Sequence, residues 1–501
     1  MADNITQDTL TLTKEAQGKA ITDDTLNKSF TQSGSATTGL TFYDLEAPAK
    51  RLIPVLTPLR NRIPRIVGGR GIQANWKAIT GINTQALSIG VSEGNRGGII
   101  STTVAEYFAA FRGVGLEDNV TFEADYAAEG FQDLKATAAL GLLDSVMLGE
   151  EALLLGGNTS LALGTTPTPT LADVGTTGSL AANTAFSVIA VALTLDGFMT
   201  GSVGGGIRAL VTRINAGGSS DTYGGGAARK SVNATITTAN DGNATHKITA
   251  SLPSPVSGAA GYAWFWGAAG SEVLGALTTI NSVVITAAAT GTQTAASLGT
   301  GDNSTNHLVF DGLLSQAVKT GAGYFYQMPT GPAGTGTPLT ADGAGGIVEI
   351  DAALKWFWDT YRLSPSRIMV SSQEAMNITN KVLSGKTNAA QRFTINVEQG
   401  RIAGGDLVTS YLNKFGMAGA TSIPIEQHPN MPAGTIMFDT DSLPYKLSGI
   451  ASIKRMLLRR DYYQIEWPLT QRRYDYGVYF DGVLQHYAPF SSGVITNIGN
   501  G

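Results

Sequence analysis

TFEADYAAEGFQDLKATAALGLLDSVMLGEEALLLGG, residues 121–157, holds no proline and decides the fold. Phe122, Tyr126, Phe131, Leu134, Ala138, Leu142 and Val146 recur at three- to five-residue steps, with Leu153 two turns on, and lay one apolar stripe along a helix. Asp118 or Thr121 is placed to cap its start, and Glu123, Asp125 and Glu129 put negative charge in the early turns, where the helix dipole favours it. Gly156 and Gly157 end it. About 35 residues at roughly 1.5 Å each predict a rod about 50 Å long, about three times the usual globular helix. Gly130, Gly141 and Gly149 are the places where it would bend.

Bulk composition sets the frame. A chain of 501 residues is too long for one small core and predicts two to four domains. Its formal charge is −5 and only 15% of residues are charged, which suits a surface largely covered by other chains. The absence of cysteine excludes a disulfide framework, a thiolate nucleophile and a Cys-based zinc site. The opening residues lack an apolar signal core, and no apolar run reaches the length of a membrane span. Synthesis in a cytoplasm and no contact with a membrane are the corresponding expectations.

On the N-terminal side of the helix, residues 1 to about 40 are too polar to fold alone and read as a flexible arm. Residues 39–66 carry Pro48, Pro54, Pro58 and Pro64 and predict an extended path. Lys50, Arg51, Arg60, Arg62, Arg65, Arg70 and Lys77 form a basic run with no acid between Glu46 and Glu93. It has few aromatic neighbours, so contact with an adjacent subunit is favoured over nucleic-acid phosphates. Residues 71–80 alternate, with Ile72, Ala74, Trp76 and Ala78 on one face. A turn-rich tip (90–98) and a β-branched, aromatic return (99–112) complete a two-stranded ribbon over about 65–115. Such a ribbon is marginal alone and needs something to lie on.

Beyond the helix, residues 158 to about 305 turn rich in Gly, Ala, Thr and Ser. Strands are predicted over 186–195, 206–214, 231–237, 247–252, 262–266 and 281–286, a β-sandwich pattern. The run KITASLPSPVSGAAGYAWFWG (247–267) resembles the second-to-third-strand passage of fibronectin type III-like modules, with Tyr262, Trp264 and Trp266 on one face and Leu252 near the place of the usual core Trp. Residues 306–440 return to mixed texture. A helix is predicted over 347–361, a buried strand over 367–372, a second helix over 373–383 and a strand–turn–strand over 422–441. Residues 451–498 read as sheet.

No catalytic set, cofactor motif or metal site emerges. His246, His307, His428 and His486 are far apart in sequence and read as surface or satisfied side chains. No nucleophile elbow or P-loop occurs, and the glycine runs 204–206 and 224–226 read as turns. Asp439 and Asp441 are too few acids for calcium. Lys454, Arg455, Arg459, Arg460, Arg472 and Arg473 are interleaved with Tyr462, Tyr463, Tyr474 and Tyr476, a pattern shared with single-strand binders. The acids Asp461, Glu466, Asp475 and Asp481 among them favour paired charges on a sheet face.

The order of these parts resembles the major capsid protein of tailed bacteriophages, whose shell fold is shared with encapsulins and herpesvirus capsids. EEALLLGGN (150–158) is similar to the close of that family's spine helix, and FDGLL (310–314) to the entry into its axial domain. LKWFWDTYRLSPSRIMVSSQEAM (354–376) resembles the axial helix–strand–helix, and SIPIEQHPNMPAGTIMFDTD (422–441) the proline turn and following strand. The resemblance implies an α+β fold: an N-terminal arm and extended segment (1–64), an extended β-ribbon loop (65–115), a spine helix with peripheral domain (116–164), an axial domain (304–440) and C-terminal strands (441–501). Residues 165–303 are then an inserted immunoglobulin-like all-β sandwich, of the kind some capsid proteins carry outside.

The implied function is structural, not enzymatic: hexamers and pentamers of an icosahedral head that encloses double-stranded DNA by non-specific contact, located in the virion after assembly in the host cytoplasm. Implied partners are a portal and a scaffolding protein, and the reading admits a decoration protein. A separate scaffold is expected because only about forty residues precede the extended segment. Lys77 lies where some relatives crosslink, but no partner for it is legible. A secreted adhesin or fibre protein and an encapsulin-like compartment are the competing readings. On the capsid reading, deletion of 70–97 should abolish shells, whereas deletion of 170–300 should leave assembly possible.

Overall fold

The computed structural model describes residues 50–82, 90–99, 101–129, 132–175, 177–319, 323–384, 395–396, 401–402, 407–416, 421–445 and 448–500. The expected arm, and the extended segment up to residue 49, lie outside the described residues. Pro54–Asp125 and Leu134–Gly501 form one compact unit.

The described chain opens with a short helix α1 (Pro58–Arg62) and strand β1 (Arg65–Val67). Pro58 stands in the first turn of α1, where its missing N–H costs nothing, so one of the four prolines starts a helix in the segment expected to be extended. β2 (Gln73–Ile82) and β3 (Thr102–Ala110) form an antiparallel ribbon. Between Val91 and Gly97 lies the expected turn, with Gly94 at φ 79°. The chain then passes Phe111 into β4 (Arg112–Thr121). The return expected over 99–112 is β3, and a further strand, β4, in a different sheet lies between it and the helix.

The rod predicted over 121–157 comes as two helices, α2 (Phe122–Ala128) and α3 (Leu134–Gly156). Thr121 caps the first, its Oγ1 accepting from Ala124 N at 3.3 Å. Asp118 lies in β4 and plays no such part. α3 runs through Gly141 and Gly149 without interruption. Gln132 and Asp133 are non-helical, and Asp133, just before α3, is a residue type that favours helix starts. Gly130 and Phe131 themselves lie outside the described residues.

β5 (Thr170–Val174), β6 (Ala185–Leu193), helix α4 (Leu195–Thr200), β7 (Leu210–Ile214), β8 (Ser220–Gly224), β9 (Ala234–Thr237), β10 (Lys247–Ser251), β11 (Gly261–Gly267), β12 (Val273–Thr278) and β13 (Ser282–Ile285) follow. They build a three-stranded sheet, β13-β10-β5, and a four-stranded sheet, β12-β11-β6-β9. Ile248, Ala250, Val283 and Ile285 of the first share one core with Val188, Ala190, Tyr262, Trp264 and Trp266 of the second. This is a sandwich. Tyr262, Trp264 and Trp266 do share a face, and Leu252 is buried. Ala263 and Phe265, on the opposite face of β11, enter a second core with Val191 and Leu274, so β11 is covered on both sides. β11 has β6 as its inner neighbour, and β6 and β9 both precede β10 in the chain. In an immunoglobulin module the corresponding neighbours come later in the chain. Among the described residues, β7 and β8 pair only with each other.

The fully buried His246 ring joins the sandwich margin, with Nδ1 3.0 Å from Asp173 Oδ1 and Nε2 2.9 Å from Asp241 Oδ1. The bonds to Asp241 and then Asp173 raise its pKa. Asp241 is pulled down to about 2, first by Asn243 N–H and then by this ring. A raised folded-state pKa gives stability that is complete below the unfolded value of about 6.5 and is lost as pH rises through the folded one. The denaturation midpoint of the sandwich should therefore fall as pH is raised above neutrality. His246→Gln should flatten that dependence, and equal pH slopes for the two proteins would refute the assignment.

The last third comprises α5 (Leu313–Val318), β14 (Tyr324–Gln327), α6 (Val348–Tyr361), β15 (Arg367–Val370), α7 (Ser372–Ser384), the small pair β16 (Ile395–Asn396) and β17 (Arg401–Ile402), β18 (Ser410–Asn413), β19 (Thr421–Gln427), β20 (Ile436–Asp439), β21 (Lys454–Glu466), β22 (Arg473–His486) and β23 (Gly493–Thr496). The helix–strand–helix and strand–turn–strand expected over 347–441 are all present. A six-stranded mixed sheet runs β14-β23-β20-β15-β19-β18, and Ile350, Leu354 and Phe357 of α6 pack in its core. A second sheet, β1-β21-β22-β4, unites strands from distant parts of the chain. Leu142 and Val146 of α3 pack in its core with Met456, Leu458, Val478 and Phe480. The fold is α+β: ribbon, long helix and two mixed layers, with a β-sandwich between helix and second layer in chain order.

Candidate assembly surface

The ribbon is built by alternation. Register sets Ala74 opposite Ala109, Trp76 opposite Tyr107 and Ala78 opposite Ala105 on one face. Near the root this face turns inward. Ala74 is buried, and Trp76 stacks on Tyr107 (6.0 Å) and meets Tyr487 edge-on (6.0 Å). The expected inward alternation holds for Ala74, Trp76 and Ala78, whereas Ile72 stays exposed because it precedes the strand.

On the opposite face, Asn75 meets Phe108, Lys77 meets Glu106 and Ile79 meets Val104. Phe108 is 71% exposed, Ile79 69% and Val104 54%. Three large apolar side chains thus share one water-facing side of a two-stranded ribbon, flanking a cross-strand Lys–Glu pair of positions. A ribbon of this kind is a ready interaction surface.

The root is rigidly made. Leu458 O accepts from both Gly68 N (3.0 Å) and Gly69 N (2.9 Å). A Cβ on Gly69 would stand 2.6 Å from the Phe111 ring, so only glycine lets Phe111 close the root. Phe111 N donates to Ile72 O (3.0 Å), Arg459 Nη1 donates to Gly71 O (2.8 Å), and the Arg459 guanidinium lies over the Phe111 ring at 5.2 Å.

Behind the root, two adjacent carboxylates at the end of α3 are fully buried. Glu151 accepts from Leu59 N (2.8 Å), Arg60 N (2.7 Å) and His428 Nε2 (2.7 Å), so a side chain of the long helix caps α1 from outside. Glu150 holds Arg65 and the Tyr462 hydroxyl, with Arg60 Nε at 3.7 Å. Arg65 also grips Asp461 at 2.5 Å and lies over the Tyr462 ring at 4.6 Å. Burial, then Glu150, pushes the Tyr462 phenol up to about 12, so it remains a donor.

A second charged cluster adjoins it. Arg62 pairs with Glu426 at 2.8 Å. Arg367, 3.7 Å from Glu426, holds Asp439 at 2.5 Å and also Asp441, and Lys454 completes the set on Asp439. Burial raises the Asp439 pKa, but Lys454 and Arg367 outweigh it and hold the carboxyl below its usual range. The neighbouring His486, pushed by burial to about 3, stays neutral, with Nδ1 3.2 Å from Gln316 Oε1.

These pairings revise the reading of the basic run. Arg60 and Arg65 turn inward to the buried Glu150, and the exposed Arg62 pairs with Glu426, so these three have acid partners within the same chain. Arg70 and Lys77 remain exposed near and on the ribbon. Lys454, Arg459, Arg472 and Arg473 pair with Asp439, Asp481, Glu123 and Asp475, the paired-charge pattern favoured from sequence. Asp439 and Asp441 both bind Arg367. Of the histidines, His307 is exposed and the other three are buried against polar partners. Among the described residues no cluster of three or more His, Cys, Asp or Glu side chains suits a metal ion. The sequence reading missed Glu150 and Glu151. Their signal was two acids inside an otherwise apolar run, LGEEALLL, against a basic run that lacked acids of its own.

No family model and no curated protein matches this chain. It is similar in fold to solved capsid structures at low identity. The capsid of a native GTA particle shares 10% identity over 94% of this chain and 100% of that one, at a TM-score of 0.42. For the mature capsid of bacteriophage PhiM1 the figures are 8%, 95%, 98% and 0.38, and for the capsid of cyanophage A-1(L) 11%, 91%, 96% and 0.38. Likeness at this level transfers no residue role.

Proposed function

We propose that this chain is a major capsid protein of a tailed bacteriophage, a structural subunit that closes into an icosahedral head as hexamers and pentamers around double-stranded DNA. The observation that carries the reading is the ribbon: two-stranded, fixed at its root, and apolar on its outward face at Phe108, Ile79 and Val104. A second copy of the same chain is the occupant that makes such contacts close by symmetry. The order of ribbon, long helix and two mixed layers along the chain supports the same reading. Residues 165–303 would then be an inserted sandwich module, and scaffold, portal and decoration protein would be the remaining partners.

Phe108→Asp tests it directly. The side chain is exposed in the subunit, so the substitution should change unfolding free energy by no more than about 0.5 kcal/mol, yet place a charge where the neighbour must seat. Negative-stain microscopy and sedimentation velocity, on protein expressed alone and with its neighbouring genes, should show closed particles for the parent and soluble folded subunits for the variant. Normal particles from Phe108→Asp would remove the ribbon from this role. An elongated monomer or trimer from the parent in both preparations would favour the adhesin reading.

A further inference from the structure

We infer that the sandwich at 165–303 is an intramolecular clasp that ties the end of α3 to the six-stranded sheet through a buried Asn281–Asn497 amide pair, and is not a detachable ornament. Its two ends leave the body side by side: Gly164 N donates to Asp302 at 2.8 Å, and Leu163 N to Ser304 Oγ at 2.9 Å. A module joined only there would swing on a short stem. Several further attachments prevent that, among them bonds from Gln327 Nε2 to Val256 O (3.1 Å), Thr330 Oγ1 to Leu252 O (3.1 Å) and Gly334 N to Ser282 Oγ (3.1 Å), and two carry the argument.

The first is apolar. Leu195, at the start of α4, is buried in the core that contains Leu154 and Leu155 of α3. A Cβ on Gly156 would stand 2.3 Å from Leu195 Cδ2, so the helix ends in glycine where the sandwich presses on it. The second is polar and lies elsewhere in the module. Asn281, immediately before β13, donates its N–H to Asn497 Oδ1 (2.9 Å) and its Nδ2 to Thr330 Oγ1 (2.6 Å). Asn497, immediately after β23, returns Nδ2 to Asn281 Oδ1 (3.3 Å) and to Met328 O (2.8 Å). Both asparagines are buried. Asn497 sits at φ 61°, a left-handed conformation that asparagine tolerates better than most non-glycine residues.

A reciprocal buried amide pair is geometrically demanding, because either member left alone forfeits full desolvation. It therefore fixes one orientation of sandwich against sheet. The expected consequence is coupling. Loosening the sandwich loosens β14 and β23, which lie on the other side of the joint.

Hydrogen–deuterium exchange on the full-length chain tests this. Asn497→Gly keeps the left-handed backbone and removes the amide. Asn281→Ala keeps the residue 281 N–H bond to Asn497 Oδ1 and removes the returning acceptor and the bond to Thr330, so it weakens the same joint from the sandwich side. Each variant should speed exchange in β14 and β23 together with β10 and β13 by about tenfold, while β21 and β22 keep parental rates and report an intact fold. Parental protection in β14 and β23 for Asn497→Gly, which removes both bonds of the pair, would overturn the clasp. Equal acceleration everywhere, β21 and β22 included, would overturn it as a discrete joint.

Discussion

Glu151→Ala should lower the unfolding free energy by about 3–5 kcal/mol, among the largest effects of any single substitution in this chain. The carboxylate is fully buried and is the common acceptor for Leu59 N, Arg60 N and His428 Nε2. Removing it leaves two backbone N–H groups at the start of α1 and one ring nitrogen without a partner, away from water that would replace it. α1 has no side-chain cap of its own at Thr57, so nothing local compensates. The loss should spread. With α1 loosened, Arg60 and Arg65 no longer hold Glu150, and β1 loses its seat beside β21. Urea unfolding of the subunit gives the free energy. The double variant Glu151→Ala/His428→Ala should lose less than the sum of the singles, because the ring is orphaned only once. A loss under about 1 kcal/mol would mean that water reaches this pair and that the knot does not anchor the N-terminal segment.

Glu374→Gln should remove a pH dependence of stability amounting to about 3 kcal/mol. Glu374 is buried near the start of α7. Burial pushes its pKa to about 7; the bonds from Gly434 N (3.0 Å) and Asn377 Nδ2 (3.1 Å) oppose the shift without cancelling it. Its Oε2 has no partner among the described residues. A carboxyl raised in the folded state gives stability that is whole below its unfolded value of about 4.5. As pH rises the unfolded chain ionises first, so stability falls until pH passes about 7 and then levels. The glutamine variant cannot ionise and should lose this slope, becoming the more stable protein at pH 8. Denaturant midpoints at pH 4.5, 6 and 8 decide it. Identical slopes for parent and variant would show that Glu374 ionises freely and is hydrated in the folded state.

Legibility followed range along the chain. Where burial repeats locally the sequence was sufficient. The alternation of Ala74, Trp76 and Ala78, the α6–β15–α7 unit, and Tyr262, Trp264 and Trp266 on one face were all readable, because period two or 3.6 records which side meets the core. The strands β5, β8 and β12 were missed. They are short, and their small or polar residues gain their places from neighbours already in register rather than from their own pattern. The break between α2 and α3 was not singled out because three glycines offered a bend, and sequence alone does not rank them.

By itself the sequence determined the parts: a proline-free helical run, an alternating ribbon, a Gly- and Thr-rich sandwich and mixed layers, in a chain without cysteine. Only the tertiary structure decided the partners. Arg65 meets Glu150 across 85 residues, Glu151 reaches His428 across 277, and Asn281 pairs with Asn497 across 216. Hydrophobic periodicity is a property of neighbours in the chain, so one sequence displays it. A buried charge or amide is stabilised only by a specific group brought to about 3 Å, and that proximity exists only once the whole chain has folded.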